Sequence, residues 1–296
     1  MTLQRLLEVC LLLPIATSFK LQLPFMPSST QTRAGDASRQ TDAERLLGSV
    51  SLTDVETGRE VSLCSRMKGK GRKTVVAFLT HFGDLSSWEY AQKLSYLRPR
   101  LEEGKVDLLC VGIGSREAGL RFSELNGFPV SGLFCDETGS VYRELGFNSG
   151  FLGEMSGVNP YVKLFFMLLG IGSPGTIPAV LKGYFGSKEQ RADWATVCLR
   201  LVDGKRFDVL GERYQRPFEV ATVRLQNMMA VLDRWQDLAP SDDNLIIQQG
   251  GTLAFDEKGA QLFRYDDKGI LVYAEMDALL QALGLPDTST PVTGSS

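Results

Sequence analysis

The sequence holds a single histidine, His81, in 296 residues. No second imidazole is available, so a metal centre built on histidines is excluded. Cysteine is sparse as well, and badly spaced for chemistry in pairs. Cys10, Cys64, Cys110, Cys135 and Cys198 contain no C-x-x-C, which leaves no zinc ribbon, no dithiol redox motif and no disulfide framework. An excess of positive charge is also missing. Lys and Arg number 32 against 35 Asp and Glu, a formal net charge of −3, so no broad basic surface speaks for nucleic acid. The "GIGS" of Gly112–Ser115 lacks the third glycine of a dinucleotide loop and the lysine of a phosphate loop. It reads as a tight strand-to-helix turn, and neither a metal nor an organic cofactor is expected.

What remains is the composition of an ordinary globular chain, 43% hydrophobic and 23% charged, with length enough for one large domain or two small ones. The first 40 residues stand apart. "MTLQRLLEVCLLLPIATSF" has an early Arg5, a leucine-rich stretch too short for a membrane span, and small residues at Ala16–Ser18, with Glu8 as an intruder. From Phe19 to about Gln40 the chain is rich in Ser and Thr, with Lys20, Arg33 and Arg39 against Asp36 alone. A signal peptide followed by transit-peptide composition, joined at "ATSF", resembles the bipartite presequences of algae whose plastids have extra bounding membranes. Residues 1–40 are therefore expected to direct import into a plastid, with the mature protein in the stroma. The alternative is an ordinary secreted protein with a polar start. Either way the mature chain is mildly acidic.

The pattern after residue 47 alternates strands and helices. "VSLTDVETGREVSLCS" predicts a hairpin about Glu56–Gly58, and "KTVVAFLT" and "VDLLCVGIG" predict strands buried on both faces. Helices are expected at about Ser87–Glu103 and Glu117–Leu125, with a short strand in "GFPVSGLFCDETG". That order implies a parallel core sheet with crossovers. Residues 150–240 break the rhythm and read as a helical insertion before the last two strands. Within it Leu164–Leu181 carries no charge, but glycines and prolines interrupt it, giving two helices joined by a turn. Phe218, Ala221, Leu225, Met228, Leu232 and Trp235 fall at helical spacing and predict one core-facing stripe. "GGTLAFD" and "QLFRYDD" flank a turn at Glu257–Gly259, "MDALLQALGL" closes the fold, and residues 285–296 have the composition of a disordered tail.

The hairpin, the strand–helix–strand order, "FCDETGSVYRELG" and the terminal hairpin-plus-helix together resemble the peroxiredoxin-like (AhpC/TSA) superfamily. "ERYQRPFEVATVRLQNMM" with "QQGGTLAF" is similar to its longer cyanobacterial and chloroplast members. The resemblance covers residues 47–284 and implies an α/β, thioredoxin-like sheet of peroxiredoxin type flanked by helices. It also implies where redox chemistry belongs: a Gly-Cys-x-x-Cys run at the first strand-to-helix turn, where free N–H groups and the helix dipole lower a thiol's pKa. In "HFGDLSSWEY" Gly83 keeps its place, but Asp84 stands where the first cysteine belongs and Ser87 where the second does. Neither can become a sulfenic acid or a disulfide. The supporting arginine that the family places before the penultimate strand is not found, since Gln248 and Gln249 precede Gly250 and Gly251.

Two readings of the substituted turn follow. In one, Ser86 and Glu89 form a capping box and Asp84 adds negative charge at the helix start. In the other, His81, Asp84 and Ser87 make a hydrolytic triad, which requires Ser–His and His–Asp hydrogen bonds and an oxyanion hole. Three such residues within one turn disfavour the triad, and His81 is expected to bond to its own loop. Among the cysteines, Cys110 and Cys198 read as core thiols, Cys135 has its pKa raised by Asp136 and Glu137, and Cys64 has Arg66 and Lys68 nearby to lower it. Three functions are open. The first is a redox-silent binding or assembly protein whose partner uses a groove of His81, Phe82, Leu85 and Trp88, or the apolar insert at Leu164–Leu181. The second is a thiol peroxidase or oxidoreductase using Cys64 or an intermolecular cysteine. The third is a protein that closes the insert over an apolar ligand. Peripheral membrane contact through Leu164–Leu181 accompanies any of them, and the oligomeric state is open.

Overall fold

The computed structural model describes residues 41–67, 71–186, 192–199 and 217–290. The expected presequence, Cys10, Lys68 and the last six residues lie outside the described residues.

The expected hairpin is present. Strands β1 (Ser51–Asp54) and β2 (Glu60–Ser62) pair antiparallel across a turn in which Asp54 Oδ1 accepts from the Thr57 N–H at 3.0 Å. The two apolar runs become β3 (Lys73–His81) and β4 (Val106–Ile113), parallel neighbours at the centre of the sheet. The parallel set continues through β5 (Leu133–Asp136), while β6 (Gly251–Phe255) and β7 (Gln261–Asp266) add antiparallel strands on the other side of β3. The order across the sheet is β2-β1-β5-β4-β3-β6-β7. This is the thioredoxin-like arrangement that the sequence implies.

Helices α1 (Asp42–Leu47), α2 (Leu63–Met67), α3 (Leu85–Glu103), α4 (Arg116–Asn126) and α5 (Ser140–Glu144) accompany the first five strands. They cover both faces of the sheet, as strands without an outward polar face require. Val75, Ala77 and Leu79 of β3 enter one core cluster, with α3 and α4, while Val76 and Phe78 enter the other, with α1, α2 and α5. That alternation is the two-residue period of a strand. Along α3, Trp88, Ala91, Leu94, Leu97 and Leu101 recur at spacings of three and four, and all are buried. The helix stops at Gly104, whose N–H donates to the Arg100 carbonyl at 3.0 Å.

Among its described residues the insertion contains α6 (Pro160–Leu168), α7 (Thr176–Phe185), α8 (Asp193–Cys198), α9 (Glu219–Asp233), α10 (Trp235–Leu238) and a 3-10 turn (Asp243–Ile247). The uncharged run is two helices and a Gly-Pro turn, and no helix among the described residues is long and apolar enough to cross a membrane. In α9 the buried face differs from the expected one. Val220, Val223, Asn227 and Val231 turn inward, whereas Phe218, Leu225 and Met229 are exposed. Polar pairing decides the orientation. The side-chain amides of Gln92 and Asn227 exchange two hydrogen bonds of 2.9 Å, and Arg224 reaches Glu89, so the helix docks on α3 through these groups instead of its most apolar stripe.

The closing helix α11 is Met276–Ala282. Residues 285–290, disordered by composition, are held in place. The Arg100 guanidinium donates to the carbonyls of Thr288 and Thr290 at 3.0 and 2.5 Å, and the Thr288 N–H donates to Asp277 Oδ1 at 2.9 Å. Backbone carbonyls served by a distant arginine leave no trace in local composition.

Candidate functional site

The turn from β3 into α3 places His81, Phe82, Asp84, Ser86, Ser87 and Trp88 together at the end of the central strand. Phe82 is sunk into the fold because its neighbours have no side chains. A Cβ at Gly112 would lie 2.3 Å from the Phe82 ring, and one at Gly114 2.9 Å. "GIGS" is thus a tight turn that beds an aromatic ring, with Ser115 capping α4 through a 3.2 Å bond from the Ala118 N–H. Trp88 locks the turn from the helix side, its Nε1–H donating to the Phe82 carbonyl at 2.7 Å.

The expected groove of His81, Phe82, Leu85 and Trp88 is not open. His81, Phe82 and Trp88 are buried, and Leu85 packs half-buried against Ile246, Ile247 and Leu271. The insertion closes it. The Trp235 ring stands edge-on to His81 at 5.9 Å, and a Cβ at Gly83 would be 3.3 Å from both that ring and the Leu238 carbonyl. The capping box is absent for a related reason. Asp84, not Ser86, is the N-cap residue of α3, and Ser86 Oγ accepts from the Leu271 N–H at 3.0 Å while Glu89 turns to Arg224.

Asp84 and Ser87 meet through a third residue. Thr80 Oγ1 donates to Asp84 Oδ2 at 2.5 Å and lies 2.6 Å from Ser87 Oγ, so the three side chains form a short relay at the helix start. His81 does not join it. Burial holds its pKa down, against the opposing pull of Asp84, and its Nδ1 has no hydrogen-bond partner. It bonds both to the backbone of Ile246 in the 3-10 turn and, as expected, to its own loop, where the Asp84 N–H donates to the His81 carbonyl at 3.0 Å. Among the described residues no side-chain hydrogen bond joins His81 to Ser87 or to Asp84, whose side chains both turn to Thr80, so the triad is not assembled. Asp267 also faces this region. Burial first, then Asp266 and Asp84, push its carboxyl well above the usual range. Gln248 and Gln249 are buried on backbone carbonyls: Gln248 Nε2 on Asn148 and Gln249, and Gln249 Nε2 on Ile247, each at 2.9 Å.

Among the described residues no cysteine lies at the turn. Cys64 is buried in α2, and the arginine beside it in sequence, Arg66, pairs with Asp54 and stacks on Phe134. Burial raises the Cys110 thiol, and burial followed by Glu137, Glu117 and Asp136 pushes Cys135 up to about 11. The carboxylates expected to act on Cys135 do so, but desolvation is the larger cause. Cys198 is half-buried in α8.

A second constellation lies on the other side of α3. Glu89 is buried and accepts two hydrogen bonds from Arg224, at 2.5 and 3.0 Å, and one from the Tyr273 hydroxyl, with Lys93 Nζ at 3.5 Å. Burial pushes the Glu89 carboxyl up, but Lys93, Arg224 and Tyr273 outweigh it and bring it down to about 2. Lys93 lies over the rings of Trp194 and Tyr273, at 4.9 and 4.6 Å. These groups form the inner wall of a cavity of about 440 Å³, with Lys182 and Glu275 also lining it. Only the Glu89–Lys93 spacing of four was legible in the sequence. Arg224 and Tyr273 come from 135 and 184 residues away, and no local pattern announces them.

The family model described as AhpC/TSA antioxidant enzyme matches residues 93–269. The chain belongs to the AhpC/TSA family. Comparison with curated proteins and with solved structures returns no match. The AhpC/TSA match begins at Lys93, inside α3, and ends at Gly269, so it takes in Lys93 and Arg224 of the second constellation but not Glu89 or Tyr273. It also leaves Asp84 and Ser87 outside the matched span.

Proposed function

We propose that this AhpC/TSA-family chain is a binding or assembly protein in which the ancestral redox turn carries out no thiol chemistry. The observation that supports this most is the set of hydrogen bonds that ties Asp84 and Ser87 to Thr80 at the helix start: neither side chain at these positions can be oxidised and returned. Aspartate at the helix start keeps the negative charge that a thiolate would have placed there, and with it the favourable interaction with the helix dipole. The test is peroxide consumption by the purified protein, with hydrogen peroxide or an organic hydroperoxide and a thiol reductant present. The expected rate is that of the thiol background alone. Saturable turnover abolished by Cys64→Ser overturns the reading and establishes the peroxidase alternative.

The presequence reading adds a place of work, the plastid stroma of an alga with complex plastids. Residues 1–40 fused to a fluorescent protein are expected to carry it into the plastid of such a cell. Fluorescence in the medium or the secretory pathway instead supports the secreted alternative.

A further inference from the structure

Part of the stripe that the sequence marks for the core of α9 is left in solvent, and it does not stand alone. On α7, Ile177, Leu181, Tyr184 and Phe185 share one outer face at spacings of four, three and one, and all four are exposed, Phe185 at 73%. The inner side of the same helix is occupied: Arg224 donates to the Ala179 carbonyl at 2.9 Å, and a Cβ at Gly183 would lie 2.6 Å from that guanidinium. The two exposed faces join where α7 ends. The Tyr184 carbonyl accepts from the Phe218 N–H at 2.9 Å, and the two rings meet edge to face at 6.1 Å. Phe218 holds this position with φ 65°, a left-handed backbone that a bulky residue rarely adopts. From there Leu225 and Met229 continue the exposed stripe along α9.

Charge narrows what can cover such a face. From Met155 to Lys188 the sequence contains no aspartate or glutamate, although the chain as a whole is net negative. Lys182 is the exposed cation within α7. A second copy of the chain related by two-fold symmetry would bring this surface against itself, lysine included, with no carboxylate in that span to pair it. A bilayer suits it better. Aromatic and branched aliphatic side chains enter the boundary between headgroups and acyl chains, and a lysine at the edge meets anionic headgroups.

We propose that the outer face of α7, continued by Phe218, Leu225 and Met229 of α9, docks the protein peripherally on a membrane surface that contains anionic lipid. The helices lie in the interface and do not span it, in keeping with their length. The inference goes beyond the redox-silent reading and does not depend on it. It also changes the meaning of the uncharged Leu164–Leu181 run, which marks the root of a docking face and not a failed span.

Flotation of the purified full chain with vesicles of phosphatidylcholine, with or without phosphatidylglycerol, tests this. The protein is expected to float with the phosphatidylglycerol vesicles and much less with phosphatidylcholine alone. The double variant Phe185→Ser, Phe218→Ser is expected to lose roughly tenfold or more of that binding at unchanged thermal midpoint, since both side chains are exposed. Lys182→Glu is expected to remove the preference for phosphatidylglycerol. Absence of flotation with either vesicle overturns the proposal, as does equal binding by the double variant. A dimer in light scattering that Leu181→Ser dissolves, without vesicle binding, overturns it in favour of a second copy.

Discussion

Replacing Glu89 with alanine is expected to destabilise the protein by about 3–5 kcal/mol, read as a lower midpoint in urea unfolding. The carboxylate is fully enclosed and is the one anion that Arg224, Lys93 and the Tyr273 hydroxyl all address. Removing it strands two cations where water cannot solvate them well, and that penalty exceeds the value of the ion pair itself. Glu89→Gln is expected to lose nearly as much, because it keeps the shape and discards the charge. The double replacement Glu89→Met, Arg224→Met should recover a large part of the loss, since removing both partners leaves fewer uncompensated charges. Acid titration gives an independent reading. The Glu89 pKa is depressed from 4.5 to about 2 in the folded protein, so its contribution is complete above 4.5 and disappears as pH falls towards 2. In Glu89→Gln the stability lost across that window is expected to be smaller. An unchanged acid slope means that other carboxylates govern it.

Trp88→Ala is expected to cost about 3–5 kcal/mol as well, for a different reason. The indole is among the largest fully buried side chains, stands edge-on to Phe122 at 5.9 Å, and ties the end of β3 to the first turn of α3 through the Phe82 carbonyl. Alanine leaves a cavity and an unpaired carbonyl together. Trp88→Phe separates the two effects: most of the volume remains, and the stranded carbonyl alone costs about 1–3 kcal/mol. Thermal unfolding of the two variants reads the difference. If Trp88→Phe is as damaging as Trp88→Ala, the hydrogen bond and not the packing holds the turn.

The parts of the fold that were legible in the sequence are those in which one local pattern has one structural solution. β3 and β4 are continuous apolar runs of strand length, and the central sheet is where such runs go. The hairpin of β1 and β2 carries its own turn residue, Gly58, at φ 69°. The errors share a cause: a polar partner far away in sequence overrode a local preference. Ser86 and Glu89 have the spacing of a capping box, yet Leu271 claims the first and Arg224 the second. The apolar side of α9 looks like a core stripe, yet Asn227 and Arg224 fix the opposite side against α3. At the turn from β3 into α3 the residue identities were legible. The cover of Trp235 and Leu238 was not, because a short helix at the end of an insertion gives no sign of where it will lie.

The position of β3 has a consequence for how the chain is made. Its first flank, β4, leaves the ribosome soon after it, but β6 follows only after the whole insertion has been synthesised. The closing helix comes later still: Lys73 Nζ, at the start of β3, donates at 2.7 Å to the carbonyl of Leu283, 210 residues on. A nascent chain therefore carries Val75, Val76, Ala77 and Phe78 on an unpaired edge for most of its synthesis, a segment prone to pair with other chains. Closing so long a loop slows folding more than it weakens the folded state. The insertion thus sets a period during which chaperones, and not the protein's own strands, must guard the middle of the sheet.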